Sequence, residues 1–160
     1  MRDVIVRKVE QLEAEALACL IVAFRDHLKA AAPTDAALAR RLPLALSDPS
    51  IEFSCAWLDG RAAGYTQIRF HTSVWADGVE ACLEDLFVAR DFRKRSIGRS
   101  LLRHALSRAE DRGATRLSLN TNERNTAAQS LYRSEGLSPQ THALYPGGHE
   151  VVWSKDLSAA

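Results

Sequence analysis

The sequence predicts an α/β domain with helices packed on a mixed sheet, and three observations carry that reading. Apolar residues make up 46% of the 160 and charged residues 26%, which suffices for a packed core. Short runs of alternating or β-branched apolar residues are interleaved with stretches whose apolar residues recur at three and four. Gly, Pro and Asp punctuate the joins, with no repeat, low-complexity tract or linker, so residues 1–160 read as one domain.

Val4-Ile5-Val6 is the first strand. From Gln11 the period changes, and Leu12, Ala16, Cys19, Leu20, Ala23 and Phe24 form the predicted inner face of a helix that Pro33 ends. Thr34-Asp35 caps a second helix with Leu38 and Leu42 inward, stopping before Ser47-Asp48-Pro49. Ile51, Phe53, Cys55 and Trp57 then alternate up to Asp59-Gly60, a pair that favours the tight turn of a hairpin. Gly64 to Phe70 is the returning strand. Ala76-Asp77-Gly78 is a further turn, and Ala81 to Val88 is strongly strand-like.

A third helix carries Ile97, Leu101, Leu102, Ala105 and Ala109 on one face and stops at Gly113. Arg116 to Asn120 is a short strand, and Thr126 to Glu135 is a helix closed by Gly136. The tail, around Leu144 and Val151-Val152-Trp153, adds one or two strands separated by Pro146-Gly147-Gly148. The order is β-αα-βββ-α-β-α-ββ.

Charge and cysteine content narrow the function. Lys and Arg number 21 against 20 Asp and Glu, so bulk electrostatics favours neither nucleic acid nor an anionic membrane. Cys19, Cys55 and Cys82 include no Cys-x-x-Cys pair, which argues against a disulfide framework or a Cys-rich zinc site and fits a reducing compartment. The five histidines have no ligand spacing, so no metal is expected. The longest apolar run, Ala16 to Phe24, is nine residues, and acidic residues precede it; a soluble, cytoplasmic protein is the expectation.

The most informative segment runs from Val88 to Ser100. A strand ends at Val88, and a helix begins near Ile97 after a turn bearing Arg93, Lys94 and Arg95, with Gly98 and Arg99 following. Unpaired N–H groups and the helix dipole favour an anion at such a start, so the segment reads as a diphosphate site or as a solvated basic turn.

This strand, turn and helix resemble the acetyl-CoA signature of the GNAT superfamily of N-acetyltransferases. Further on, Asn125-Thr-Ala-Ala-Gln-Ser-Leu-Tyr-Arg-Ser-Glu-Gly-Leu137 resembles that family's second motif. The resemblance is specific over residues 81–137 and topological elsewhere. It implies a mixed, mostly antiparallel sheet of six to seven strands with about four helices. It also implies a V-shaped gap between the strands ending near Val88 and Asn120, with acetyl-CoA as co-substrate. The pantetheine arm would pair with the backbone of Phe87 and Val88. The pyrophosphate would sit on Arg93, Lys94, Arg95, Ser96, Ile97, Gly98, Arg99 and Ser100. Asn125 would steady the arm or the adjacent loop, unless it is a plain helix cap. Ser96 departs from the family, standing where its first loop glycine is usual; its N–H serves only if a non-glycine can adopt the backbone angles. A homodimer is also implied.

Acetyl transfer from a thioester needs a base for the amine, a donor for the oxyanion and a proton for the thiolate. Leu83-Glu84-Asp85-Leu86-Phe87-Val88 places two carboxylates in an apolar strand and resembles the corresponding strand of the spermidine/spermine-type diamine acetyltransferases. That likeness makes Glu84 the base, through water, and Asp85 a holder of the cationic substrate. Strand alternation would aim only one of them at a given site unless a β-bulge intervenes, and pairing with Arg69 is the plainer alternative. Tyr132 falls on the family position that protonates the thiolate, although a helical Tyr also serves as core. The oxyanion donor would be a main-chain N–H of the strand ending at Val88. Asn120, where ribosomal-protein acetyltransferases of the family carry a glutamate, leans away from that class. The expected acceptor is the primary amine of a small molecule: a polyamine, diamine, amino-acid-like amine or amino sugar. Protein lysines or N-termini are the alternative, and a non-catalytic acyl-CoA sensor is an alternative of another kind.

Overall fold

In the computed structural model, residues 3–140 and 150–157 are described. The strands are β1 (Ile5–Lys8), β2 (Ile51–Leu58), β3 (Arg61–Ser73), β4 (Gly78–Val88), β5 (Ala114–Asn122), β6 (Ser138–Gln140) and β7 (Glu150–Asp156). The helices are α1 (Ala14–His27), α2 (Asp35–Ser47), α3 (Ile97–Asp111) and α4 (Thr126–Ser134). The predicted element order is therefore observed. Leu144 and Pro146-Gly147-Gly148 lie outside the described residues.

All seven strands form one sheet in the order β1-β2-β3-β4-β5-β7-β6. Every neighbouring pair is antiparallel except β4 and β5. The β2–β3 hairpin turns at Asp59 and Gly60, both with positive φ (51° and 73°), as the tight turn requires. One face of the sheet carries α1 and α2, whose Leu17, Leu20, Leu38 and Leu42 pack on Phe53, Cys55, Tyr65 and Phe87. The other carries α3 and α4, with Leu102, Ala105, Ala109 and Tyr132 packed on Ile68, Phe70, Leu83, Leu117 and Trp153.

Thr34 caps α2 through its side chain, accepting from the Ala37 N–H at 3.2 Å, as its position predicts. One predicted face is corrected. In α1 the buried stripe is Leu17 and Leu20 with Ile21 and Phe24, whereas Leu12 is 96% exposed and Cys19 is exposed. Ala16 to Phe24 is apolar at every position, so periodicity leaves the phase open, and burying the large side chains decides it. β2 is buried on both faces although its large apolar residues alternate, because α3 covers Glu52, Ser54 and Ala56.

Among the described residues, no helix is long and apolar enough to cross a membrane.

Candidate active site

β4 and β5 pair only from Val79↔Ala114 to Cys82↔Ser118. Beyond that they part, and a cleft of about 770 Å³ opens between Leu83–Val88 and Leu119–Asn122. The predicted V-shaped gap is present. The start of α3 lines one side, the start and inner face of α4 another, and Phe24, His27 and Leu28 at the end of α1 a third.

The backbone of β4 explains what the cleft offers. Ala89 N–H donates to Ala63 at 2.9 Å, and residues alternate along an antiparallel pair between bonding their partner and pointing away. The in-register pairs Tyr65↔Phe87 and Gln67↔Asp85 therefore bond β3, while the N–H and C=O groups of Leu86 and Val88 point into the gap. This corrects one expectation: Val88 presents its backbone to the cleft, but its companion is Leu86, not Phe87. Phe87 contributes its side chain, stacked on Phe24 at 5.0 Å between centroids. Gly64 permits the close approach of β3 here, because a Cβ on it would lie 2.5 Å from the Phe87 oxygen.

At the α3 start, Ser96 adopts φ 60° and ψ 12°, the left-handed region, and its side chain makes no capping bond. Its carbonyl accepts from Ser100 N–H at 3.0 Å, so the N–H groups of Ile97, Gly98 and Arg99 precede the first helical bond and remain available. The left-handed residue followed by a helical one also turns successive N–H groups to one side, the concave arrangement that binds anions. No acidic residue occupies the first turn. Serine thus takes the glycine-like conformation at a cost of about 1–2 kcal/mol.

Glu84 is the extra residue of a β-bulge, since Gln67 faces Asp85 and Ile68 faces Leu83. The bulge resets alternation. Glu84 and Asp85 consequently lie on the same face, that of α1 and α2: Glu84 accepts from Gln67 Nε2 at 2.6 Å and Arg69 Nε at 2.8 Å, and Asp85 accepts from the Tyr65 hydroxyl at 2.9 Å. Glu84 lines the cleft, and its pairing with Arg69 is also real. Burial raises the Asp85 carboxyl above its ordinary range, and it raises the Tyr65 phenol likewise.

Tyr132, only 7% exposed, lines the cleft beside Trp153, and burial raises its phenol so that it holds its proton. Among the described residues its hydroxyl has no hydrogen-bond partner. Asn125 lines the cleft but also caps α4, its Oδ1 accepting from Ala128 N–H at 3.1 Å.

Of the residues singled out in the sequence, Glu84, Phe87, Val88, Arg93, Lys94, Ser96, Ile97, Gly98, Arg99, Asn125 and Tyr132 line the cleft. Asp85, Arg95 and Ser100 do not. Asp85 is turned to Tyr65, Arg95 is exposed, and the Ser100 hydroxyl bonds back to the Ser96 carbonyl. The β5 edge at Asn120 lines the cleft as expected, whereas Phe24, His27 and Leu28 at the end of α1 were not singled out, because they belong to no motif.

The family model described as acetyltransferase (GNAT) matches residues 11–137. A [ribosomal protein bS18]-alanine N-acetyltransferase of Salmonella typhimurium is 40% identical over 75 residues, 44% of this chain and 51% of that one. A streptothricin acetyltransferase of Streptomyces lavendulae is 35% identical over 97 residues, 59% of this chain and 49% of that one. The matches thus span about half the length of these curated relatives. The crystal structure of the PaiA N-acetyltransferase of Thermoplasma acidophilum with coenzyme A superposes with a TM-score of 0.73 at 16% identity, covering 96% of this chain and 99% of that one. With the family model covering most of the chain, and a parted β4–β5 pair leading to an open α3 start, the protein belongs to the acetyltransferase (GNAT) family.

Proposed function

We propose that the protein transfers the acetyl group of acetyl-CoA to a primary amine by direct attack on the thioester. The observation that carries this is a single cleft joining an uncapped, basic helix start to Glu84 and Tyr132. The residues fit the co-substrate. The free N–H groups at Ile97, Gly98 and Arg99, with Arg93 and Lys94, would hold the pyrophosphate, and the Leu86 and Val88 backbone would hold the arm. The thioester supplies an activated acetyl carbon.

Glu84 accepts the ammonium proton through water, because an ammonium has no lone pair to attack with. A main-chain N–H of β4 facing the gap donates to the carbonyl oxygen as it becomes an oxyanion. Tyr132 gives its proton to the departing sulfur as the S–C bond breaks and the N–C bond stands. Its burial suits that role, since an acid must still carry its proton at working pH. Asp85 would act behind Glu84 as a second negative charge for a cationic acceptor.

The acceptor we favour is a small-molecule amine. Support comes from Asn120 in place of the glutamate of the ribosomal-protein enzymes, and from the streptothricin-acting relative. The bS18-alanine relative favours a second reading, a protein N-terminus. Neither relative is named for a polyamine, so the diamine-type strand remains a resemblance of that strand alone. A panel of diamines, amino sugars, amino-acid amides and an alanine-led peptide, with free thiol detected, separates the readings. Turnover on small amines with none on the peptide is the expected result. Turnover on the peptide alone would favour the second reading, and thiol release from no amine would overturn acetyl transfer.

A further inference from the structure

We propose that Arg69 selects the acceptor, which carries a carboxylate beside its amine nitrogen, as a small α-amino acid does. This rests on the proposed acetyl transfer with Glu84 as base, and it names the class of acceptor.

α1 and α2 cover their face of the sheet as far as Tyr65 and Phe87. Further along the same face, alternation on β3 sets out Gln67, Arg69 and His71, which are half-buried or exposed. They belong to none of the apolar clusters. Arg69 meets Glu84 along one edge of its guanidinium, with Nε 2.8 Å from Oε1 and Nη2 3.5 Å from Oε2. Its side chain is 42% exposed, and among the described residues Nη1 meets no acceptor. The planar fork thus has an open end immediately beside the base. Glu84 keeps capacity as well, because Oε1 takes one bond, from Arg69, and has a lone pair left. A ligand can meet both groups without parting them.

The rest of this face decides what the ligand carries. Glu80 accepts from Arg116 Nη2 at 2.9 Å, with His71 at 3.8 Å, and Asp85 accepts from the Tyr65 hydroxyl. Asp48, also near Arg69, accepts from the Ser50 N–H and hydroxyl at 2.8 and 2.7 Å. These carboxylates are committed. A second ammonium on the acceptor would face Arg69 and Arg116 with no open carboxylate to meet, whereas a carboxylate finds the open fork of Arg69. Contact also fixes the spacing. Since Arg69 and Glu84 are bonded to each other, groups docked on them lie a few ångströms apart, as nitrogen and carboxylate do on one carbon. A carboxylate at the end of a long chain would overshoot.

The test measures thiol release from acetyl-CoA by the full chain with amino acids and with the amines that lack their carboxylate. Alanine is set against ethylamine, serine against ethanolamine and phenylalanine against phenethylamine, with a diamine and an alanine-led peptide alongside. The best amino acid should exceed its matched amine in kcat/KM by about tenfold, as a charge-assisted pair provides. Arg69→Gln should bring that ratio near one, and Arg69→Lys should restore part of it. A merely structural hold on Glu84 would weaken both members of a pair alike and leave the ratio standing, which would overturn the proposal. A diamine or the peptide preferred by the unaltered protein would overturn it too. Calorimetric titration of the same pairs into the chain with CoA repeats the comparison without transfer. Carboxylate-dependent binding that Arg69→Gln abolishes, with no thiol released, would remove acetyl transfer and uphold the anion site. Thiol release with no such preference would remove the anion site and leave the transfer.

Discussion

Two glutamates, each paired with an arginine, sit on the strands that flank β3, and they serve opposite ends. Glu52, on β2, is 2% exposed beneath α3, where Arg108 grips both carboxylate oxygens at 2.6 and 3.0 Å and Arg112 stands 3.8 Å away. Glu84, on the β4 bulge, is held by Arg69 and Gln67 but keeps about a third of its side chain exposed at the cleft. In the first pair the charge is sealed and every oxygen is committed. In the second, water and a ligand can still reach the carboxylate. Local sequence does not distinguish them, since each is an acidic residue within an apolar strand. What covers the glutamate does: α3 lays Arg108 over Glu52 and seals it, whereas Arg69 leaves Glu84 partly exposed.

The largest effect that could break this contrast is on turnover. Glu84→Gln should lower kcat by about 10²–10⁴-fold, in the range of lost general-base catalysis. The loss should shrink as pH approaches the pKa of the amine, which then arrives neutral. Tyr132→Phe should cost a similar factor without that recovery, because thiolate departure is not helped by alkalinity in the same way. Stability should change by less than about 1 kcal/mol in Glu84→Gln, as for other exposed pairs. A pH–rate profile and a urea melt of each variant provide the check. Near-normal turnover of Glu84→Gln at neutral pH would place the base elsewhere and dissolve the contrast.

The buried pair should respond in the opposite sense. Arg108→Met removes both hydrogen bonds to a carboxylate that has no solvent to turn to, and only Arg112 remains near. The expected loss is about 3–5 kcal/mol of stability, measured by urea denaturation, with turnover per folded molecule retained. Arg69→Met, as the matched control, should lose less than about 1 kcal/mol. Equal losses in the two variants would mean that burial does not separate the pairs.

Much of this was legible in the sequence, and the exceptions share a cause. Thr34, Asp59-Gly60, Gly113 and Gly136 mark turns and caps because their chemistry is local, and the structure uses each of them so. The loop from Arg93 to Gly98 was legible for the same reason. The bulge at Glu84 was not readable from the strand itself, because it is a property of pairing with β3, and no residue in β4 encodes it alone. The same holds for the exchange of Phe87 for Leu86 as the backbone that faces the gap. The burial of Glu52 depends on a helix that lies 45 or more residues away in sequence. Asp85, read as a substrate contact, is turned toward Tyr65 by that same bulge.

The smallest effect, and the finest test of the contrast, concerns His104, which lies beside the buried pair on α3. Its Nε2 is 3.1 Å from the Ser54 hydroxyl, itself 1% exposed, and Glu52, Arg108 and Asp111 are the charges that face it. Burial pushes its pKa below the ordinary 6.5, opposed by Glu52 and assisted by Arg108. The unfolded chain therefore takes up this proton before the folded protein does. Stability contributed by the neutral ring is present above pH 6.5, falls as pH drops below it, and stops falling once the folded form is protonated as well. His104→Gln keeps a donor for Ser54 but cannot titrate. Between pH 7.5 and 5.5 the variant should lose less stability than the unaltered protein, in urea melts at matched ionic strength. Parallel losses would show that the ring is not held neutral, and that the region around Glu52 is more open to water than its burial indicates.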